Sequence, residues 1–166
     1  MAAHPPNPAH PPTKAELVDR LAASFGVYYA DFTLAAATAG LTPSQAKALS
    51  VLRSSPAPMR ALATTLACDA SNITGIVDRL EKRELVRREP SPTDRRVKNV
   101  VLTPHGEQTI DTIRARMHAT LAALDTLDGT ERTTLFTLLA RVFGAGAQDP
   151  GDPDGSPVPD GPEIGT

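Results

Sequence analysis

Leu17, Leu21, Phe25, Tyr28 and Phe32 follow one another at spacings of 4, 4, 3 and 4 residues, and this stripe constrains the fold more than any other feature. The spacing puts five large apolar side chains on one face of a helix running from Lys14 to about Ala39, with Gly40 ending it. At 1.5 Å per residue such a helix is roughly 39 Å long. A lone small domain cannot cover that length with its own core. A second long helix is predicted after the cap Thr103-Pro104, with Ile110, Ile113, Met117, Leu121 and Leu124 spaced 3, 4, 4 and 3 apart. Asp128 with Glu131 then starts a last helix, whose face is Leu135, Leu138, Leu139, Val142 and Phe143. Long helices therefore frame the chain at both ends.

Between them the pattern shortens. Thr42-Pro43-Ser44-Gln45 opens a helix, with Thr42 as N-cap, Pro43 at the first position and Gln45 closing a capping box. It turns Ala46, Leu49 and Leu52 inward and stops near Ser54–Pro56. A short helix from Met59 to about Leu66 follows, then the turn Ala67-Cys68-Asp69, then a helix over 70–83 capped by Asp69. Ile73, Ile76, Val77 and Leu80 form its buried stripe. Leu85–Glu89 and Val97–Thr103, both rich in branched residues, read as the strands of a hairpin with a long charged tip over 90–96. Helix, short helix, tight turn, helix and basic hairpin in this order make a mainly α fold, a winged helix-turn-helix.

Outside 14–144 the composition changes. Residues 1–12 hold five prolines, and residues 144–166 hold five prolines and six glycines. Neither segment has an apolar face to offset the entropy of ordering, so 1–13 and 145–166 are expected to be disordered tails. The remainder is expected to form one domain: a lobe at about 42–103 between helices at 14–39 and 104–144. The N-terminus lacks the basic and apolar regions of a signal peptide, and no stretch approaches the roughly 18 apolar residues of a membrane span, so a soluble cytoplasmic protein is expected.

Charge is segregated along the chain. The formal net charge is −2, but 145–166 contains five acids and no base, which leaves the rest with 17 bases against 14 acids. Arg79, Lys82, Arg83, Arg87, Arg88, Arg95, Arg96 and Lys98 gather within 79–98, against Glu81, Glu84, Glu89 and Asp94. A basic cluster on the second helix of the turn and on the hairpin is the footprint of a phosphate-binding surface. At about 100° per residue, Ser71, Thr74, Gly75, Asp78 and Lys82 lie opposite the apolar stripe, with Asn72 and Arg79 on the flanks. Short hydrogen-bonding side chains and a glycine are what close approach to base edges requires, and asparagine can bond adenine through two atoms. Duplex DNA is the implied partner. A winged helix serving as a protein-interaction module is the alternative, and it has no need of such a face.

The run Val77-Asp78-Arg79-Leu80-Glu81-Lys82-Arg83, the tip Asp94-Arg95-Arg96 and the exit Leu102-Thr103-Pro104-His105-Gly106 resemble the MarR (multiple antibiotic resistance regulator) family. The resemblance covers about 14–144. It implies a homodimeric transcription regulator, usually a repressor, that dimerises through its terminal helices on a pseudo-palindromic operator. It implies that Ser71, Asn72, Thr74 and Gly75 face the major groove and that Arg96 enters the minor groove. Asp94 would hold the wing tip by a salt bridge, and Arg95 would meet a phosphate. The family often has glycine where Glu84 stands, ending the recognition helix in a left-handed conformation, and often begins the wing Asp-Pro where Ser91-Pro92 stands here.

Family members respond to small-molecule effectors between the dimer helices and the DNA-binding lobe. Tyr28, Tyr29, Phe32 and His118 are candidates to line such a pocket, with dimer-core packing as the alternative for each. Cys68, the sole cysteine, excludes an intrachain disulfide and is read as a small packing residue in the turn. The four histidines, His4, His10, His105 and His118, do not form a metal-binding pattern. No phosphate loop, nucleophile elbow or metalloprotease motif is present, so neither enzyme activity nor a cofactor is expected.

Overall fold

In the computed structural model, residues 10–94 and 96–144 are described. Residues 1–9 and 145–166, which hold most of the expected N-terminal tail and all of the C-terminal one, and Arg95 lie outside them. One compact unit ends at Thr126 and a second begins at Leu127.

The first unit contains α1 (Lys14–Thr38), α2 (Pro43–Leu52), β1 (Ala57–Pro58), α3 (Met59–Leu66), α4 (Ala70–Lys82), β2 (Val86–Pro90), β3 (Lys98–Leu102), α5 (Pro104–Ala115) and α6 (His118–Asp125). The caps act as their residue types dictate. Thr42 accepts from the Gln45 amide at 3.3 Å while Gln45 Oε1 accepts from the Thr42 amide at 2.9 Å, which completes the expected box. An unforeseen box starts α1, where Glu16 accepts from the Thr13 amide at 2.7 Å.

The core gathers Leu49 and Leu52 of α2, Leu62 of α3, the α4 stripe, Val86, Val100 and Leu102 of the strands, and Ile110 and Ile113 of α5. Fully burying each large aliphatic side chain contributes about 1.5–3 kcal/mol. Only the C-terminal part of α1 joins them: Phe32 is 5% exposed and Phe25 64%. The sheet has the order β1-β3-β2 and is antiparallel throughout. The two-residue β1, with Ala57 opposite Val100, is too short for any periodicity to reveal.

Among the described residues of this unit, Gly40, Ala67 and Glu84 are left-handed, with φ of 64°, 52° and 57°. Glu84 keeps the backbone conformation for which glycine is suited, at a cost of about 1–2 kcal/mol. The Thr103 hydroxyl, which donates to the Glu84 carbonyl at 2.6 Å and accepts from the Gly106 amide at 3.0 Å, ties that turn to the start of α5. Gly106 is required there, since a Cβ would collide with the Leu85 carbonyl.

The long helix expected after Thr103 is two helices. Met117, at φ −77° and ψ 67°, leaves helical geometry and turns into the core. Its side chain cannot cap α6. Asp31, buried on α1, does so instead, accepting from the Thr120 amide at 2.7 Å across 89 residues of sequence. That bond holds the Asp31 carboxyl below its ordinary pKa against the opposing effect of burial. A cap supplied from a distant helix leaves no local signal.

The second unit contains α7 (Gly129–Phe143), started by reciprocal bonds between Asp128 and Glu131 of 2.9 and 2.8 Å. Its apolar residues are exposed, Phe136 by 75%. Among the described residues no helix is long and apolar enough to cross a membrane.

Candidate nucleic-acid interface

α3 and α4 are joined by Ala67, whose left-handed backbone turns the chain, and by Asp69, which caps α4. Asp69 Oδ1 accepts from the Asn72 amide and from the Ser71 hydroxyl, each at 2.7 Å. The Asn72 amide is the larger cause, and the Ser71 hydroxyl the next, that lower the Asp69 pKa, so this carboxylate is ionised at neutral pH.

Ser71, Asn72 and Thr74 are exposed, and Gly75 lies beside them partly covered. The Arg79 guanidinium runs back over Gly75, with its nitrogens 3.9 Å from where a Cβ would stand. The Thr74 hydroxyl donates to the Ala70 carbonyl at 2.7 Å, as Ser71 donates to Asp69. Both hydroxyls thus have their proton engaged and offer acceptor lone pairs outward. The Asn72 carboxamide has no hydrogen-bond partner among the described residues, so it alone of the three presents both a donor and an acceptor. It also borders a cleft of about 210 Å³ with Ser44, Lys47, Ala67, Cys68 and Ile76. Cys68 is partly buried and packs against the core there.

The wing tip closes by local bonds. The Ser91 amide donates to the Val97 carbonyl at 2.8 Å, and the Val97 amide to the Asp94 carbonyl at 2.9 Å. Ser91 is buried, its hydroxyl 3.0 Å from that of Thr93, so a serine organises the turn where the family often has an aspartate. Asp94 also holds the tip through the backbone. Its Oδ1 accepts from the Arg96 backbone amide at 2.9 Å, and among the described residues it forms no ion pair. The Arg96 side chain is exposed.

The basic cluster is less available than its count implies. Arg83 donates to the Gly40 and Ala39 carbonyls at 2.7 and 2.9 Å, closing the C-terminal end of α1. Arg87 pairs with Glu89 at 2.5 Å, and Arg88 with both Asp78 and Glu81. Arg79, Lys82, Arg96 and Lys98 are exposed and form no ion pair among the described residues. Lys47, which escaped sequence reasoning as a single base on a short helix, borders the cleft beside Asn72.

An exposed polar helix set into a turn over a shared core, flanked by a two-stranded basic wing, defines a winged helix-turn-helix DNA-binding protein. Residues 41–98 match the model of the MarR family. A protein described as a transcriptional regulator for the hcr operon of Thauera aromatica is 35% identical over 115 residues, covering 68% of this chain and 69% of that one. The transcriptional repressor NicR of Pseudomonas putida is 34% identical over 105 residues, 62% of this chain and 66% of its own. The crystal structure of CouR from Rhodococcus jostii, bound to p-coumaroyl-CoA, superposes with a TM-score of 0.59 at 26% identity, covering 81% of this chain and 92% of that one. The chain belongs to the MarR family of transcriptional regulators.

Proposed function

We propose that this regulator is a repressor that binds a pseudo-palindromic operator as a homodimer, with the lobe at 42–103 on DNA and the helices at 14–39 and 104–144 between protomers. The observation that carries the reading is the exposed Asn72 carboxamide on α4, beside an exposed wing Arg96, neither of which has a side-chain partner among the described residues. Ser71, Asn72, Thr74 and Gly75 face the bases, and Arg79 and Arg95 meet phosphates. Arg96 enters the minor groove, while Asp94 shapes the turn that presents it. With the acceptor sides of Ser71 and Thr74 outward, those two positions favour the exocyclic amino groups of adenine or cytosine.

Exposed Leu17, Leu21 and Phe25 on α1 and Leu135, Leu138 and Leu139 on α7 support dimerisation. A two-fold dimer places equivalent half-sites about 34 Å, one helical turn, apart. A small-molecule effector is proposed to release the DNA, with Tyr28, Tyr29 and His118 as exposed contacts beside the buried Phe32. The Tyr28 and Phe32 rings stack at 6.3 Å, which supports Phe32 as a packing residue instead of a ligand contact. NicR is named a repressor and CouR carries a coenzyme A thioester; both statements support the reading by likeness alone.

Binding-site selection on the unaltered protein and two variants tests the readers. Asn72→Ala is expected to cost about 1–3 kcal/mol on the best site and to relax the preference at one base pair. Arg96→Ala should lose affinity while keeping the preferred major-groove bases, because the minor groove reads A·T against G·C degenerately. Unchanged stringency in Asn72→Ala would remove it as a base reader, and unchanged affinity in Arg96→Ala would remove the wing from the interface.

A further inference from the structure

Arg88 pairs with two carboxylates, and the DNA-binding reading gives it no task. It lies on β2 with its side chain 24% exposed. Its Nη2 meets Asp78 Oδ1 at 2.6 Å, and its Nη1 donates to Glu81 Oε2. Both carboxylates belong to α4, three residues apart on one helix face. One planar guanidinium thus grips the recognition helix at two points from the adjacent strand. With both terminal nitrogens occupied, Arg88 is not presented to phosphate as Arg96 is.

The place of this grip along the hairpin gives it mechanical significance. Arg88 stands opposite Val100, which is fully buried in the core. Toward the tip, the next rungs pair Glu89 with Asn99 and Pro90 with Lys98, and neither puts an apolar side chain in the core. The Arg88–Val100 rung is therefore where the core-held part of the hairpin ends. An angular error there is carried outward at about 3.3 Å per residue of strand toward Arg96.

We infer that Arg88 is a positioning residue for DNA binding, which sets the wing at one angle to the recognition helix by gripping Asp78 and Glu81. The inference rests on the reading that α4 and the wing engage one duplex together. The second contact of such a pair adds affinity only when the first presents it in the right geometry.

The test titrates the full chain against the tightest duplex that the unaltered protein selects from a random library. Arg88→Gln and the pair Asp78→Ala with Glu81→Ala are each made with and without Arg96→Ala, and thermal melts check folding. Both clamp variants are expected to weaken binding about fivefold or more, and the penalty of Arg96→Ala should shrink by a similar factor in each. The carboxylate pair decides the matter by sign. On charge alone, removing two negative groups from a helix that faces DNA strengthens binding, whereas loss of the clamp weakens it. Tighter or equal binding by that pair, or an Arg96→Ala penalty that is the same in every background, overturns the clamp and leaves the DNA-binding reading standing. No Arg96→Ala penalty even in the otherwise unaltered chain overturns the clamp together with the wing's part in the DNA-binding reading, because a wing that touches nothing needs no positioning. If Arg88→Gln fails to fold, the alanine pair, which favours helix, carries the test.

Discussion

The lobe from Thr42 to Thr103 and the N-terminal half of α1 use apolar residues of the same kinds with opposite results. In the lobe, Leu49, Leu62, Val77 and Leu80 are wholly buried, whereas on α1 Leu17, Val18 and Phe25 stand in solvent. α7 resembles α1 in this respect, with Phe136, Val142 and Phe143 more than half exposed. The lobe closes because short elements wrap one point: three helices and a small sheet each turn one face to it. A 25-residue helix cannot wrap, and its far end outruns any core that the lobe supplies. The lobe thus closes on itself, whereas the far end of α1 and the whole of α7 leave their apolar residues uncovered.

Breaking the unfinished region should have the largest effect. Phe136→Asp with Leu139→Asp on α7 is expected to yield monomers by sedimentation and to weaken operator binding about 100-fold or more, since two tethered half-sites bind far better than one. Persistence of the dimer would show that the exposed face of α7 is not an interface. In the lobe, Leu62→Ala should cost about 2–5 kcal/mol in urea unfolding, because the core closes around it and cannot collapse freely. A cost below about 1 kcal/mol would show the lobe to be looser than its burial indicates.

A finer test concerns the turn that ends the recognition helix. Glu84→Gly is expected to stabilise the protein by about 1 kcal/mol, because glycine adopts the observed positive φ without steric cost. No gain in melting temperature would mean that a contact of the Glu84 side chain offsets the strain.

The smallest effect at neutral pH belongs to the joint between α5 and α6. The Asp31 carboxyl is held below its ordinary value of 3.8 mainly by the Thr120 amide. A depressed folded-state pKa contributes stability that is fully present above the unfolded value and lost as pH falls from there through the folded value. Asp31→Asn keeps an acceptor for Thr120 but does not titrate. Melts from pH 6 to 3 should therefore show the native protein losing more stability than the variant below about pH 4. Parallel curves would remove Asp31 from the acid response.

Local chemistry made much of this legible. The box at Thr42 and Gln45, the cap at Asp69, the apolar stripe of α4 and the strand pair after Leu85 each depend on residues within a few positions of one another. The wing strands and the outward face of Ser71, Asn72 and Thr74 followed from the same short-range periodicities. Charge was legible only as a count. The cluster over 79–98 omitted Asp78, one residue outside it, and Asp78 is half of what occupies Arg88.

By itself, then, the sequence determined the order and kind of most elements, which side of each helix is apolar, and that the long helices exceed their own core. Periodicity and capping act over one or two turns, so a linear reading contains them. The tertiary structure alone decided where α5 breaks from α6, because the capping carboxylate of Asp31 arrives from α1. It alone decided which arginines are free, because Arg83 is drawn to the end of α1 and Arg88 to two acids of α4. The physical reason is common to both. A hydrogen bond or ion pair forms with whatever partner folding brings within about 3 Å, and sequence distance has no bearing on that approach.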